Sequence, residues 1–297
     1  MPNMLPRSKG LLVLITAVLT GLLPAVAQKY HPIAATKPAN GSLFVLASEG
    51  TVFAISLGPT SGQIVGRFNF ALNGLASDMT YGVVGSQGVL FIGSSSATGQ
   101  IIQGRVQEFT TDGRLLNTWT INHIVAGMTF DQNKQMVYFV SGDSPEIFAI
   151  NPNSPKNGAV NVTGVNGATK LGPLTIDAAS RNFYVADSNQ GAVLGVDTQT
   201  HKTFPLGHLA TPQALLLSND QSQLIVADLS KRQIFAITLG TLPTTRAVTT
   251  PKSFLEPDAL AWWDATHLVV GDSNAGTVVV LAAAGSNFTI QYSLTLQ

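Results

Sequence analysis

Short runs of alternating apolar and polar residues recur along nearly the whole chain, at intervals of about 45 residues. Six matching segments share an apolar run that ends in small or polar residues: SLFVLAS, VLFIGSS, MVYFVSG, NFYVADS, QLIVADL and HLVVGDS. Their matched apolar positions are Val45, Ile92, Val140, Val185, Val226 and Val270, with spacings of 47, 48, 45, 41 and 44 residues. Because this interval persists through the chain, the pattern indicates a structural repeat.

Each repeat predicts four β-strands, called A to D in chain order. The matched segment is followed by a turn and a second run such as residues 146–150, EIFAI, whose period-two alternation is typical of a half-buried strand. An apolar segment such as residues 214–218, ALLLS, precedes the matched segment in the last four repeats, and a looser one, such as residues 115–121, follows. No segment after the N-terminal region has the sustained periodicity and caps of a helix.

Six four-stranded units of this length predict an all-β fold, a six-bladed β-propeller with four antiparallel strands per blade and no substantial helix. One blade cannot bury both of its faces, but blades stacked around an axis bury each sheet against its neighbours. A flat β-sandwich is the alternative, although sandwiches do not repeat at a constant period. The first inner strand is expected near residues 29–36. The pattern leaves open whether the ring closes by exchanging a strand between the chain ends.

The first 27 residues have the pattern of a secretory signal peptide, with two basic residues, an apolar core over residues 11–23 and an A-x-A site that ends at Ala27. The core has 13 residues, whereas a membrane-spanning helix needs about 20. We therefore expect cleavage after Ala27, one propeller domain over residues 28–297, and a secreted or periplasmic protein with no membrane insertion after cleavage. An uncleaved N-terminal anchor is the alternative.

The composition excludes several classes of function. The chain has 16 basic and 16 acidic residues, so it lacks the positive charge of a nucleic-acid-binding protein, and its lack of Cys excludes disulfides and thiol catalysis. Charged residues make up 11% of the chain, against an average of about 25%, so uncharged polar residues must cover the surface. We expect a monomer. Three N-x-[ST] sequons, at Asn40, Asn161 and Asn287, are about as many as chance gives, and they are weak evidence for glycosylation.

Two repeats resemble those of known propeller families. Residues 176–188, with the pattern Ile-Asp-x6-Tyr-Val-Ala-Asp-Ser, resemble an NHL repeat. Residues 211–229, TPQALLLSNDQSQLIVADL, resemble a repeat of the SMP-30/gluconolactonase and strictosidine-synthase-like propellers. The repeat spacing extends over about residues 40–297, and the clear sequence motifs lie between residues 123 and 282. Because these motifs are structural and widely shared, the resemblance implies a fold more firmly than an activity.

The loop face around the axis is the expected position of a binding site. In a propeller, the D–A and B–C connections emerge on the same face, where the starts of the inner A strands surround the axis. The residues expected to line a pocket there are Asp78, His123, Lys170, Gln213, Glu256 and Asp258. His123 is the candidate catalytic residue, as a base or a substrate-binding group, and a partly exposed loop histidine is the alternative.

Four aspartates occupy the B–C turns further from the axis: Asp143, Asp187, Asp228 and Asp272. The motif D-S-N-x-G begins at both Asp187 and Asp272. Asp and Asn side chains bind the backbone of a turn, and Gly supplies a positive φ. This recurrence favours a structural role for the turn aspartates over a functional site.

The resemblance to the SMP-30 family implies one divalent metal ion, held near the axis by a Glu and by Asn or Asp ligands. Asp258 matches the family's later aspartate, and Gln213 stands where the family has an asparagine. With Asp78 they form the predicted ligand set for Ca2+ or another divalent cation, which prefers several oxygen ligands. The family's early glutamate could only be Glu49, which lies in a turn. The five His do not have zinc-site spacing.

These features predict an exported binding or scaffold protein whose loop face recognises a small molecule, a glycan or a protein. The alternative is an enzyme, a metal-dependent lactonase or esterase of the SMP-30 type, in which a metal-bound water attacks an ester carbonyl. A purely structural envelope protein is the third hypothesis. An enzyme of this type needs at least three converging oxygen ligands and a base, whereas a binding protein does not.

Overall fold

A computed structural model describes residues 29–38, 41–70, 74–98 and 101–297. The predicted signal peptide and the sequon at Asn40 lie outside the described residues. The fold prediction is confirmed, because the described chain forms six sheets of four antiparallel strands and contains no helix. The described residues therefore include no helix that could span a membrane.

Each blade consists of four strands that follow one another in the chain. The strands of blades 1 to 3 are β1 (Pro32–Thr36), β2 (Leu43–Ala47), β3 (Thr51–Leu57) and β4 (Gly62–Asn69); β5 (Leu75–Val84), β6 (Gln87–Thr98), β7 (Ile101–Thr110) and β8 (Leu115–Ile121); and β9 (Val125–Asp131), β10 (Met136–Ser141), β11 (Glu146–Ile150) and β12 (Val160–Gly164). Those of blades 4 to 6 are β13 (Leu171–Ile176), β14 (Asn182–Asp187), β15 (Ala192–Asp197) and β16 (Thr203–His208); β17 (Pro212–Leu217), β18 (Gln223–Asp228), β19 (Gln233–Thr238) and β20 (Thr245–Ala247); and β21 (Pro257–Trp262), β22 (His267–Asp272), β23 (Thr277–Ala284) and β24 (Asn287–Thr295).

The second strand of each blade is the most deeply buried, because both of its faces pack against neighbouring blades. The six matched positions of the repeat all have an exposed fraction of 0%: Val45, Ile92, Val140, Val185, Val226 and Val270. Apolar clusters join each blade to the next, and one of them contains Val140 of blade 3 and Val185 of blade 4. The outer strands alternate between exposed and half-buried residues, as in β4. This burial gradient explains why the matched segments carry the strongest sequence signal.

The ring closes by packing blade 1 against blade 6. The first inner strand is Pro32–Thr36, inside the range expected from the sequence. Just before it, Tyr30 packs edge-on against Phe53, with ring centroids 4.9 Å apart, in a cluster that includes Val269 and Leu296 of the C-terminal region. Among the described residues no strand is exchanged between blades, which answers the question that the sequence left open.

Every inner strand has a β-bulge near its start. The residues left without a partner on the second strand are Ile33, Ser77, Ala126, Gly172 and Pro173, Gln213, and Asp258. A bulge bends a strand and redirects the side chain of the extra residue. All of these residues line the cavity at the centre of the ring. The bulged segments of all six blades therefore meet at one central cavity.

Candidate functional site

The inner strands enclose a central cavity of about 530 Å3. It is lined by residues of all six inner strands and by loop residues that precede them. Five of the six residues that the sequence placed at the axis are among its lining residues: Asp78, Lys170, Gln213, Glu256 and Asp258. Ser77, Ser188 and a set of threonines, Thr36, Thr80, Thr129 and Thr175, add hydroxyl groups. The cavity is thus a polar chamber whose charged residues come from blades 2, 4 and 6.

Asp258 is the extra residue of the bulge in β21 and is half-buried at the cavity wall. Its carboxylate accepts a hydrogen bond from the Ser273 hydroxyl, which lies in the B–C turn of the same blade. Burial raises the pKa of Asp258 to about 6, and the nearby charges of Glu256 and Asp272 act in the same direction, whereas the bond from Ser273 opposes the shift. Asp258 can therefore exchange a proton close to neutral pH.

Asp78 follows the bulge of β5 and is a second cavity carboxylate. Its Oδ1 accepts the backbone N–H of Met79 at 2.7 Å, and its Oδ2 accepts that of Met128, in the next blade, at 2.6 Å. Burial raises the pKa of Asp78 to about 7, although these two backbone bonds act in the opposite direction. The cavity thus contains two carboxyl groups with different pKa values near neutrality, an arrangement that suits proton transfer.

Lys170 and Glu256 stand in the loops that enter β13 and β21, and the turn aspartates hold both loops. Asp187 Oδ2 accepts the backbone N–H of Lys170 at 3.3 Å, and Asp272 Oδ1 accepts that of Glu256 at 2.9 Å. Asp228 makes equivalent bonds to the loop that enters β17. The turn aspartates bind backbone groups, as the sequence predicted, and they position the loops at the cavity mouth.

His123 is not among the residues that line the cavity, in contrast to the sequence expectation. Its Nδ1 lies 3.3 Å from Asp143 Oδ1, and its ring packs on Phe148 with centroids 4.9 Å apart. The loop that enters β9 therefore turns this side chain toward the B–C turn of its own blade. The candidate catalytic histidine is a loop residue paired with a turn aspartate.

The donor set at the axis fits a calcium ion poorly. No group of three or more His, Asp or Glu side chains with metal-site geometry occurs among the residues that the structure describes. Asp78 already accepts two backbone N–H groups, and Asp258 accepts the Ser273 hydroxyl. Glu49 pairs with His31 and does not line the cavity. Calcium prefers six to eight oxygen ligands, so Asp258, Gln213 and Asp78 as a metal site stay a prediction.

No protein-family model matches the chain, and no curated protein matches it in sequence. Solved structures match its fold. A catalytically inactive variant of virginiamycin B lyase from Staphylococcus aureus, solved with quinupristin, has a TM-score of 0.64 at 16% identity, covering 89% of this chain and 85% of that one. The periplasmic gluconolactonase PpgL of Pseudomonas aeruginosa has a TM-score of 0.62 at 17% identity, covering 89% and 84%. A chain of a nidogen/laminin complex has a TM-score of 0.67 at 13% identity, covering 85% and 92%.

These similarities define the class of the protein, a six-bladed β-propeller. The predicted resemblance to propellers of the NHL and gluconolactonase type is confirmed as a resemblance of fold. Identities this low carry no activity from one protein to another. The neighbours include enzymes and a chain of a protein complex, so the shared fold does not identify one function.

Proposed function

We propose that the protein binds a small molecule in the central cavity, through hydroxyl or amine groups of that molecule. The observation that carries the proposal is a cavity of about 530 Å3 lined by Asp258, Gln213 and Asp78. This volume lies within the range of about 300–1,000 Å3 that is usual for ligand pockets. Carboxylate and amide oxygens accept hydrogen bonds, so they favour a ligand with several donors, such as a polyol, a sugar or an amine.

The residues at the cavity mouth suit a ligand that enters from the loop face. Lys170 is exposed, whereas Glu256, Asp258 and Asp78 are half-buried, so a ligand meets the positive charge of Lys170 first. The loops that bear Lys170 and Glu256 are fixed by the turn aspartates, so the mouth is formed in advance of binding. A preformed site loses less conformational entropy when the ligand binds, and this favours recognition without a large rearrangement.

The proposed place of action is outside the cytoplasm, after removal of the signal peptide. The support is the sequence pattern of the first 27 residues, with an apolar core and an A-x-A site. N-terminal sequencing of the protein recovered from the periplasm or the medium should start at Gln28. A membrane-bound product that retains Met1 would contradict this part of the proposal.

Hydrolysis of a lactone or ester is the second candidate function, and the two cavity carboxyls favour it. The pKa values of Asp258 and Asp78, about 6 and about 7, are those of groups that accept or donate a proton near neutral pH. One structural neighbour is described as a gluconolactonase. In this candidate function Asp258 takes a proton from the water that attacks the carbonyl carbon, and Asp78 protonates the leaving oxygen. A lactone panel that shows no turnover would remove this candidate.

A thermal-shift screen with a panel of monosaccharides, polyols and primary amines tests the binding function. At least one compound should raise the melting temperature of the wild type, and Asp258→Asn should weaken its binding about ten- to hundredfold, because a hydrogen bond to a charged group is worth about 1.5–3 kcal/mol. Asp264→Asn is the matched control, because Asp264 is exposed and does not line the cavity. Binding that is unchanged in Asp258→Asn would contradict the proposed site.

A further inference from the structure

Blade 2 differs from the other blades in its buried polar groups. Six side-chain nitrogen or oxygen atoms are buried without a hydrogen-bond partner in the part of the chain that the structure describes. Five of them belong to blade 2, namely those of Ser77, Ser94, Arg105, Gln107 and Trp119, and the sixth belongs to Asp131. A buried donor or acceptor without a partner costs about 1–3 kcal/mol, so such atoms are rare in folded proteins. Their concentration in one blade calls for a common cause.

Three of these residues lie together on one face of the blade. Ser94 in β6 pairs directly with Arg105 in β7, so their side chains project from the same face. Gln107 pairs with Ile92, two residues from Ser94, and therefore shares that face. Ile92 packs in the cluster that contains Leu46 of blade 1. The three polar groups therefore face the interface between blades 1 and 2.

The equivalent position holds a carboxylate in three other blades. The repeat aligns Ser94 with Asp187, Asp228 and Asp272, each of which lies two residues after a matched apolar position. Those carboxylates accept backbone N–H groups of the loop before the inner strand, as Asp228 Oδ2 does from Ala210 at 2.6 Å. Blade 2 has an uncharged hydroxyl in place of the carboxylate.

The residue opposite this position is changed as well. Asp187, Asp228 and Asp272 pair with Ala192, Gln233 and Thr277, which are uncharged. In blade 2 the partner of Ser94 is Arg105, whose Nε has no acceptor. The guanidinium has one long bond, 3.4 Å from Nη2 to Gln103 Oε1, and no ion pair with an acidic side chain among the described residues. Blade 2 has thus lost the negative charge of this repeat position and gained a positive charge at the position opposite it.

We propose that blade 2 binds a small oxyanion from solution, a carboxylate or phosphate group, between Ser94 and Arg105. The guanidinium offers a planar set of N–H donors that matches such an anion, and the serine hydroxyl adds a further donor. Gln107 adds a side-chain amide. When this amide is turned by about 180°, its NH2 group takes the place of the oxygen and donates to the anion. Ser94 and Gln107 are buried, with exposed fractions of 1% and 6%, whereas Arg105 is half-buried, so the anion enters past the arginine.

This site is separate from the proposed ligand position in the cavity. Ser94 pairs with Ala76, which lines the cavity from the inner strand, so the anion lies behind the cavity wall. Neither Ser94 nor Arg105 is a cavity-lining residue. The oxyanion proposal therefore stands or falls independently of the proposed binding function.

The test is a thermal melt of the purified protein in sodium acetate, sodium phosphate and sodium chloride at equal ionic strength. The wild-type melting temperature should rise by a few degrees, with saturation, in acetate or phosphate relative to chloride. The rise should be lost in Arg105→Gln and kept in Arg114→Gln, the matched control, whose arginine is exposed on the same blade. A response to acetate alone identifies a carboxylate site, and a response to phosphate alone identifies a phosphate site.

A second variant supplies the missing carboxylate. Ser94→Asp places a tethered anion beside Arg105, so it should raise the melting temperature in chloride and remove the response to added anions. This variant decides the question if Arg105→Gln does not fold. The proposal is overturned if the wild type shows no saturable response, if Arg105→Gln responds as the wild type does, or if Ser94→Asp keeps the full response.

Discussion

The carboxylate of Asp78, in the inner strand of blade 2, accepts the backbone N–H of Met128, in the inner strand of blade 3, at 2.6 Å. This bond joins two blades at the wall of the cavity. Inner strands have an unpaired edge that faces the axis, so their backbone groups need other partners. Asp78 satisfies one of them and also presents a titratable group to the cavity, which links the closure of the ring to the chemistry of the site.

The pH dependence of stability should reveal Asp78. Its pKa is about 7 in the folded protein against a usual value of 3.8, so the folded chain keeps a proton that the unfolded chain releases between these values. The contribution of Asp78 to stability is therefore present below about pH 4 and is lost as the pH rises to about 7. In urea unfolding from pH 4.5 to 7.5, Asp78→Asn should gain stability relative to the wild type as the pH rises.

The control for this measurement is Asp220→Asn. Asp220 is exposed and its pKa is lowered to about 2 by hydroxyl and backbone hydrogen bonds, so its ionisation does not change between pH 4.5 and 7.5. The difference between this variant and the wild type should be constant over that range. An Asp78→Asn difference that is equally constant would show that Asp78 is ionised throughout, and that its burial does not raise its pKa.

The ring closure depends on Tyr30, which is 8% exposed between blades 1 and 6. Tyr30→Ala should lower the free energy of unfolding by about 3 kcal/mol, because it opens a cavity beside Phe53. Leu242→Ala is the control, since Leu242 is 85% exposed, and it should change stability by less than about 0.5 kcal/mol. Equal effects of the two variants in denaturant titrations would show that the N-terminal residues do not hold the ring closed.

The packing between blades should not tolerate a charge at a matched position. Val185 is fully buried between blades 3 and 4, so Val185→Asp places a carboxylate where it has no partner. It should cost at least about 3 kcal/mol or make the protein insoluble. Val160→Asp, at a strand position that is 56% exposed, should remain soluble with nearly unchanged melting. A soluble Val185→Asp protein that melts like the wild type would contradict the assignment of this position to the core.

The repeat made the fold predictable because burial is the same in every blade. Positions such as Val45 and Val185 must be apolar for one physical reason, so they recur at a regular spacing and mark the second strands. The first inner strand was predictable because only residues 29–36 were left to form it. Closure without strand exchange could not be predicted, since it depends on contacts between the two chain ends.

The candidate site was less predictable than the fold. Asp258 and Gln213 could be placed at the axis because they begin inner strands, but the bulges that expose them have no common residue type. His123 occupies a similar place in sequence, yet Asp143 and Phe148 hold its ring outside the cavity. Side-chain direction in these loops is set by neighbours on other strands, and the sequence pattern alone does not contain that information.

Filling the cavity tests most directly whether the ligand binds there. The variant Ala126→Phe places a large side chain at a bulge residue of the cavity wall. The control, Ala265→Phe, makes the same substitution at an exposed alanine. The measurement is a calorimetric titration with the panel compound that stabilises the wild type most. Binding should be lost in Ala126→Phe while the variant stays folded, and it should be unchanged in Ala265→Phe. A folded Ala126→Phe protein that binds the compound as tightly as the wild type would contradict the account.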